Sequence, residues 1–186
     1  MKRFTAFVLA CMLSLSAQAK EVEGVPLQDS LTIHGSKLQL NGAGVRSKFF
    51  IDLYVGSLYT VAAETDGENI LSGKQPAAVR LNIISGLITS DKMVSTVQEG
   101  FETVTGGNVG PLQDRINDFL NVFNSEEIKK GDQFTLVSKP GVGVTAFKND
   151  KEVALVNGDD FRKALFGIWL GNKPADKGLK KAMLGN

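Results

Sequence analysis

Arg46 and Tyr54 are the residues of this chain that most invite a chemical reading. A guanidinium is a fork of parallel N–H donors that matches the two oxygens of a carboxylate. Read as one unbroken strand, the stretch places Arg46, Lys48, Phe50, Asp52 and Tyr54 on a single face, because side chains alternate along a strand. That wall mixes a cation, a carboxylate and a phenol with Phe and Leu, as a pocket for an amphipathic ligand does. A second reading is internal to the fold. In it Arg46 pairs with Asp52 or caps a loop, and Tyr54 is an ordinary half-buried strand aromatic.

Residue counts exclude most other chemistry. Cys11 is the only Cys and His34 the only His. A structural zinc site needs about four such ligands, and a disulfide within the chain needs two Cys. Ser-His-Asp catalysis would run through His34 alone, which sits in Thr32-Ile33-His34-Gly35-Ser36, a polar stretch that reads as a solvated turn. Gly42-Ala43-Gly44-Val45-Arg46 lacks the third glycine and the following helix of a nucleotide loop, so it reads as a tight turn or bulge. No GxxxxGK[ST] loop occurs. Glu126-Glu127 and Asp159-Asp160 fall at expected helix ends, and Lys180-Lys181 on a solvated helix face. The 21 basic residues balance 20 acidic ones, so no basic field recruits nucleic acid.

The elements that must position Arg46 and Tyr54 follow from pattern. With 42% hydrophobic and 22% charged residues, the chain reads as a folded globular protein. Residues 1–19 read as a secretory signal peptide. Lys2-Arg3 is its positive start, Phe4 to Leu15 its apolar run, and Ala17-Gln18-Ala19 its small-x-small cleavage site. The run is shorter than the roughly 20 residues that span a bilayer. The alternatives are an N-terminal membrane anchor and acylation at Cys11, the latter with a better cleavage site just downstream of it. Cleavage after Ala19 leaves 20–186 as one domain, free of cysteine, with no stable membrane insertion and a periplasmic location expected.

Within that domain, Leu38 to Asn41 alternates like a strand, and Gly42-Ala43-Gly44 reads as its end. Phe49 to Ala62 is apolar at both parities, as a central strand covered on both faces would be. Ala78 to Ser85 reads as another strand. A helix follows, N-capped at Ser90, with Met93, Val97, Phe101 and Val104 on one face and Gly106-Gly107 as its stop. A second opens at Gly110-Pro111 and buries Leu112, Ile116, Phe119, Leu120 and Phe123. Gln133 to Ser138, Gly143 to Phe147 and Val153 to Val156 read as strands, with turns at Pro140-Gly141 and Asn149-Asp150. A helix capped by Asp159 or Asp160 carries Phe161, Leu165, Ile168 and Trp169, and a short last helix starts at Pro174. The order predicts an α+β fold with a mostly antiparallel sheet.

Several of these motifs together resemble the chalcone isomerase superfamily. They are Gly42 to Lys48, Asp52 to Tyr59, Ser85-Gly86, Glu99-Gly100-Phe101, Lys139-Pro140-Gly141, Gly167 to Gly171 and Leu179 to Gly185. The set is most similar to the bacterial, exported chalcone isomerase-like proteins. The resemblance implies an open-faced β-sandwich, a large antiparallel sheet with a layer of helices and a ligand cleft between them. It implies no cofactor. Carried over residue by residue, the enzymes' catalytic Arg falls on Arg46, their strand Thr on Tyr54, their Tyr near Thr89 and their Asn near Thr96. Three of those four positions depart, so no catalytic residue is assigned. The non-catalytic, fatty-acid-binding branch pairs an Arg after a Gly-x-Gly turn with a strand Tyr, as Arg46 and Tyr54 do here. The resemblance therefore implies a cleft for a fatty acid or similar amphipathic carboxylate, with Arg46, Tyr54, Thr89 and Thr96 as ligand-binding positions. A cofactor-free isomerase acting on another substrate is the alternative, and an envelope protein whose cleft is packed shut is the third.

Overall fold

The computed structural model describes residues 20–186. The expected signal peptide and Cys11 lie outside them. The sheet has seven strands, and their order in space is their order in sequence. They are β3 (Ser30–Ile33), β4 (Ser36–Lys48), β5 (Ile51–Thr60), β6 (Ala77–Ile83), β7 (Gln133–Lys139), β8 (Gly143–Lys148) and β9 (Lys151–Asn157). Every neighbouring pair is antiparallel. A small hairpin, β1 (Glu21–Val22) with β2 (Val25–Pro26), precedes the sheet. The helices enter in three places. A short α1 (Gly67–Leu71) joins β5 to β6, and α2 (Ser90–Thr105) and α3 (Gln113–Asn124) join β6 to β7. Then α4 (Asp159–Leu170) and α5 (Lys177–Met183) close the chain. This is the α+β architecture expected, an open-faced antiparallel sheet with a helical layer.

Both parities of β5 from Tyr54 to Thr60 are buried, as the continuous apolar run required. The helical layer packs through phenylalanines. Phe161 of α4 lies 5.4 Å from Phe101 of α2 and 5.7 Å from Phe119 of α3, ring centre to ring centre. Phe123 of α3 meets Phe134 of β7 at 5.1 Å, joining the layer to the sheet. Among the described residues, the buried core runs from Leu27 to Leu184.

Three boundaries differ from the sequence reading. Thr89, not Ser90, caps α2: its side chain accepts from the Lys92 N–H at 3.3 Å. Gly158 stands at the N-cap of α4, with Asp159 and Asp160 inside the first turn where the helix dipole favours acids. Asp176, not Pro174, caps α5 by accepting from the Leu179 N–H at 2.8 Å.

The glycines of β4 are a larger correction. Residues 42–44 do not end the strand, which runs on to Lys48 with only a bulge between Leu40 and Gly42. Their φ is not positive, so conformational freedom is not what they supply. They supply room. A Cβ at Gly42 would lie 2.2 Å from the Ala182 carbonyl oxygen, and one at Gly44 would lie 2.6 Å from the Ala182 Cβ. The bare backbone of β4 is the bed on which α5 lies.

At the other end of the sheet, the acids of α4 are tied down by arginines. Arg115 forks onto Asp160 with bonds of 2.6 and 2.7 Å, and these hold its carboxyl down at about 2 against an ordinary 3.8. A carboxyl lowered in the folded state stabilises above its ordinary value and loses that contribution as pH falls toward the folded one. Asp160→Asn should therefore lose less stability than wild type between pH 4 and pH 2. Urea unfolding at a series of pH values checks this, and parallel curves for the two proteins would refute it.

Candidate functional site

The site begins with a hairpin. Lys48 pairs with Ile51, leaving Phe49 and Phe50 as a two-residue turn between β4 and β5. The strand is therefore not unbroken, and Arg46 and Tyr54 do not share a face through even spacing. They are cross-strand partners, directly opposite one another in the register. Such pairs bring Cβ atoms to about 4.5–5.5 Å. A bulge follows between Arg46 and Ser47, where Leu53 stands without a partner residue. It resets the alternation, so that Ile51, Leu53 and Tyr54 all border one cleft. The freed Leu53 carbonyl accepts from the N–H groups of Ile84 and Ser85 at 3.1 and 3.2 Å. That fixes the segment carrying Leu87 and Ile88 to the cleft's far wall.

The cleft has a volume of about 440 Å³, inside the range of roughly 300–1,000 Å³ usual for small-molecule pockets. Apolar side chains wall it: Phe49, Ile51, Leu53, Leu87, Ile88 and Met93. Arg46, Lys48 and Lys92 also line it, against a single carboxylate, Glu99. Thr96 of α2 lies on the wall as well. Of the four expected site residues the structure thus gathers three, Arg46, Tyr54 and Thr96. Thr89 is not among the lining residues. Its hydroxyl is committed to capping α2, and the side chain is exposed at the helix end.

Asp52, the internal partner expected for Arg46, does not hold it, though other internal groups do. Asp52 accepts instead from the Ser47 hydroxyl at 2.6 Å. Arg46 Nη1 donates to Asp176 Oδ2 at 3.0 Å and to the Ser47 carbonyl at 3.2 Å. The guanidinium also stands close to the Tyr54 oxygen, and its Nε and Nη2 donate to no other group among the described residues. Tyr54 is buried, and its oxygen accepts from the Trp169 indole N–H at 3.0 Å. With that lone pair taken, the phenol's own proton is left to donate, and no acceptor for it stands among the described residues. Burial pushes the phenol above its ordinary pKa; the Trp169 hydrogen bond and the Arg46 charge oppose the rise without cancelling it. Tyr54 is therefore a neutral donor at physiological pH.

Trp169 and Asp176 were legible only as a core residue and as part of a helix start. Nothing near Arg46 in sequence announces either. Among the described residues no group of three or more His, Cys, Asp or Glu is placed to hold a metal ion. The arrangement lines an apolar cleft with an arginine and a neutral phenol, a combination chemically able to meet an acceptor group that carries an apolar body.

The comparisons bear on the family and the fold. A model of a family described as chalcone isomerase-like matches residues 19–185. Among solved structures, the chain resembles a fatty-acid binding protein of Arabidopsis thaliana. The two superpose with a TM-score of 0.61 at 17% identity, over 83% of this chain and 95% of that one. A search of curated proteins finds no match.

Proposed function

The chain belongs to the chalcone isomerase-like family, and we propose that within it this protein is a non-catalytic binder of a fatty acid or similar amphipathic carboxylate. One observation carries the reading: Arg46 and Tyr54, a cross-strand pair, both line one largely apolar cleft, each with donor capacity that no other described residue takes up. A carboxylate satisfies both, since Nε and Nη2 give two parallel N–H bonds and the phenol gives a third. Charge-assisted bonds of this kind form at little conformational cost when the donors are already held, as Asp176 and Trp169 hold these. The alkyl body would lie along Leu53, Ile88 and Met93, removing their surface and its own from water.

The positions where the related isomerases carry their Tyr and Asn are here a helix cap, Thr89, and a wall residue, Thr96. A developing enolate would lack the donors that usually supply the largest stabilising term. That favours binding over turnover. The fatty-acid binding protein among the structural neighbours supports the same choice of ligand class. We place the protein in the periplasm of a bacterial envelope, on the strength of the positive start, apolar run and Ala17-Gln18-Ala19 in its first 19 residues.

Protein purified from its own cells without detergent, then extracted with organic solvent, should release a long-chain carboxylate near one equivalent per chain. Mass spectrometry of the extract checks this. Recovery of neutral lipid only, or of nothing from a protein that also fails to take up added fatty acid, would remove the reading.

A further inference from the structure

The hairpin tip beside the cleft is built against its own backbone preference. Phe49 and Phe50 lie at φ 51° and 65°, a region that bulky residues rarely enter. Three other two-residue turns, Glu23-Gly24, His34-Gly35 and Asn149-Asp150, adopt the same paired positive φ. Each of those contains glycine, or the Asn and Asp that tolerate the left-handed region. The Phe pair has neither. It also has no packing to offset the strain, since the two side chains are 83% and 106% exposed. The pairing of β4 with β5 imposes that conformation, yet the exposed rings gain nothing within the fold, and bulky apolar residues kept at such a turn point to a partner outside it.

The surroundings identify that partner. Ile51 and Leu87, 42% and 53% exposed, continue the apolar tip along the rim of the cleft. Ammonium groups stand behind it: Lys48 Nζ lies 5.8 Å from the Phe49 ring, and Lys92 Nζ donates to the Leu87 carbonyl. Two acids stand near: Asp52, at the foot of the hairpin, accepts from Ser47, and Glu99 lines the cleft with the two lysines. Aromatic rings projecting past lysines suit the boundary of an anionic bilayer, with rings among the acyl chains and ammonium groups at the phosphates. We propose that the Phe49-Phe50 hairpin is a membrane-docking wedge that inserts reversibly into an anionic phospholipid surface and turns the cleft mouth toward it. The contact is interfacial, and no described helix is long and apolar enough to cross a membrane. It does not rest on the carboxylate clamp, because it is read with vesicles that contain no fatty acid.

The test uses the protein as purified from its own cells, and vesicles of phosphatidylglycerol and phosphatidylcholine in equal parts. The protein should float with these vesicles, less so with pure phosphatidylcholine and less at high salt, where the lysines are screened. F49N/F50G should lower the partition coefficient at least about tenfold, having lost both rings. Its Asn-Gly turn suits the same φ, so the hairpin stays folded. A Phe50→Trp protein should show a blue-shifted emission with vesicles and quenching by brominated acyl chains, over a background from Trp169, which is buried. Absence of flotation, or equal flotation of F49N/F50G, would overturn the proposal. So would a concentration-dependent dimer that F49N/F50G abolishes without any vesicle binding, which would assign the tip to a second copy of the chain.

Discussion

Arg46→Ala is expected to weaken binding of a long-chain fatty acid by about ten- to a hundredfold while barely changing binding of the matching fatty alcohol. Hydrogen bonds to charged groups contribute roughly 1.5–3 kcal/mol, and about 1.4 kcal/mol is tenfold in affinity. The alcohol, uncharged, gains little from the guanidinium and so should bind weakly to wild type. Tyr54→Phe removes one donor and strands the Trp169 N–H that it received, so it should cost the acid less than Arg46→Ala does. Asp176→Asn should also weaken acid binding, and by less: the amide oxygen still caps α5, but its NH2 cannot accept from the Arg46 Nη1 that the carboxylate held in place. Titration calorimetry on each protein with both ligands decides it. If acid and alcohol bind alike, and Arg46→Ala changes neither, Arg46 serves the fold alone.

The largest effect on stability should come from another arginine. Arg162 is 2% exposed, and its guanidinium spans three elements. It donates from Nε to Asp159 at 2.8 Å, from Nη1 to the Ser138 hydroxyl at 3.3 Å and from Nη2 to the Leu71 carbonyl at 3.0 Å. A weaker 3.4 Å bond reaches the Ile70 carbonyl. Those carbonyls close α1, a helix too short to hold itself. Gly73 leaves the space, since a Cβ there would lie 2.4 Å from Arg162 Nη2. Arg162→Leu strands buried acceptors at roughly 1–3 kcal/mol each, so a loss on the order of 3 kcal/mol is expected. Arg115→Leu removes the outer pair with Asp160, whose partners are 30% and 59% exposed, and should cost only about 0–1 kcal/mol. Urea unfolding followed by Trp169 fluorescence compares them. Equal losses would show that burial of Arg162 adds nothing.

Much of the sheet is legible in the sequence because β6, β7 and β8 are apolar runs and several strands end at residues with a physical reason to turn. The Asn149-Asp150 and Pro140-Gly141 turns were read directly, and so were the periodic faces of α2 and α3. The turn at Phe49-Phe50 was not, because no Gly, Asn, Asp or Pro marks it. Its conformation is set by the pairing of β4 with β5, which overrides the preference of the two phenylalanines. Residues 42–44 misled in the converse way. Glycine signals a break when only the chain is in view, and close approach once α5 is seen above it. The site divides along the same line. Arg46 and Tyr54 were singled out by residue type and by family resemblance, but their apposition depends on the hidden turn. Their partners Asp176 and Trp169 lie more than a hundred residues away and reach them only through tertiary packing.

The seven-stranded sheet also curls until its ends meet: His34, in the turn after β3, reaches Glu152 of β9 at 3.2 Å, and its ring lies 5.8 Å from Phe147. The consequence is for how the protein behaves in a crowd. A flat sheet offers two rows of unpaired backbone groups on which a stranger's extended chain can template itself, the first step toward aggregates. Here one border strand is four residues long. The other carries Lys151 and Glu152, and the register shift between Ala146 and Phe147 kinks its pairing with β8. An incoming chain finds neither the length nor the flatness to copy.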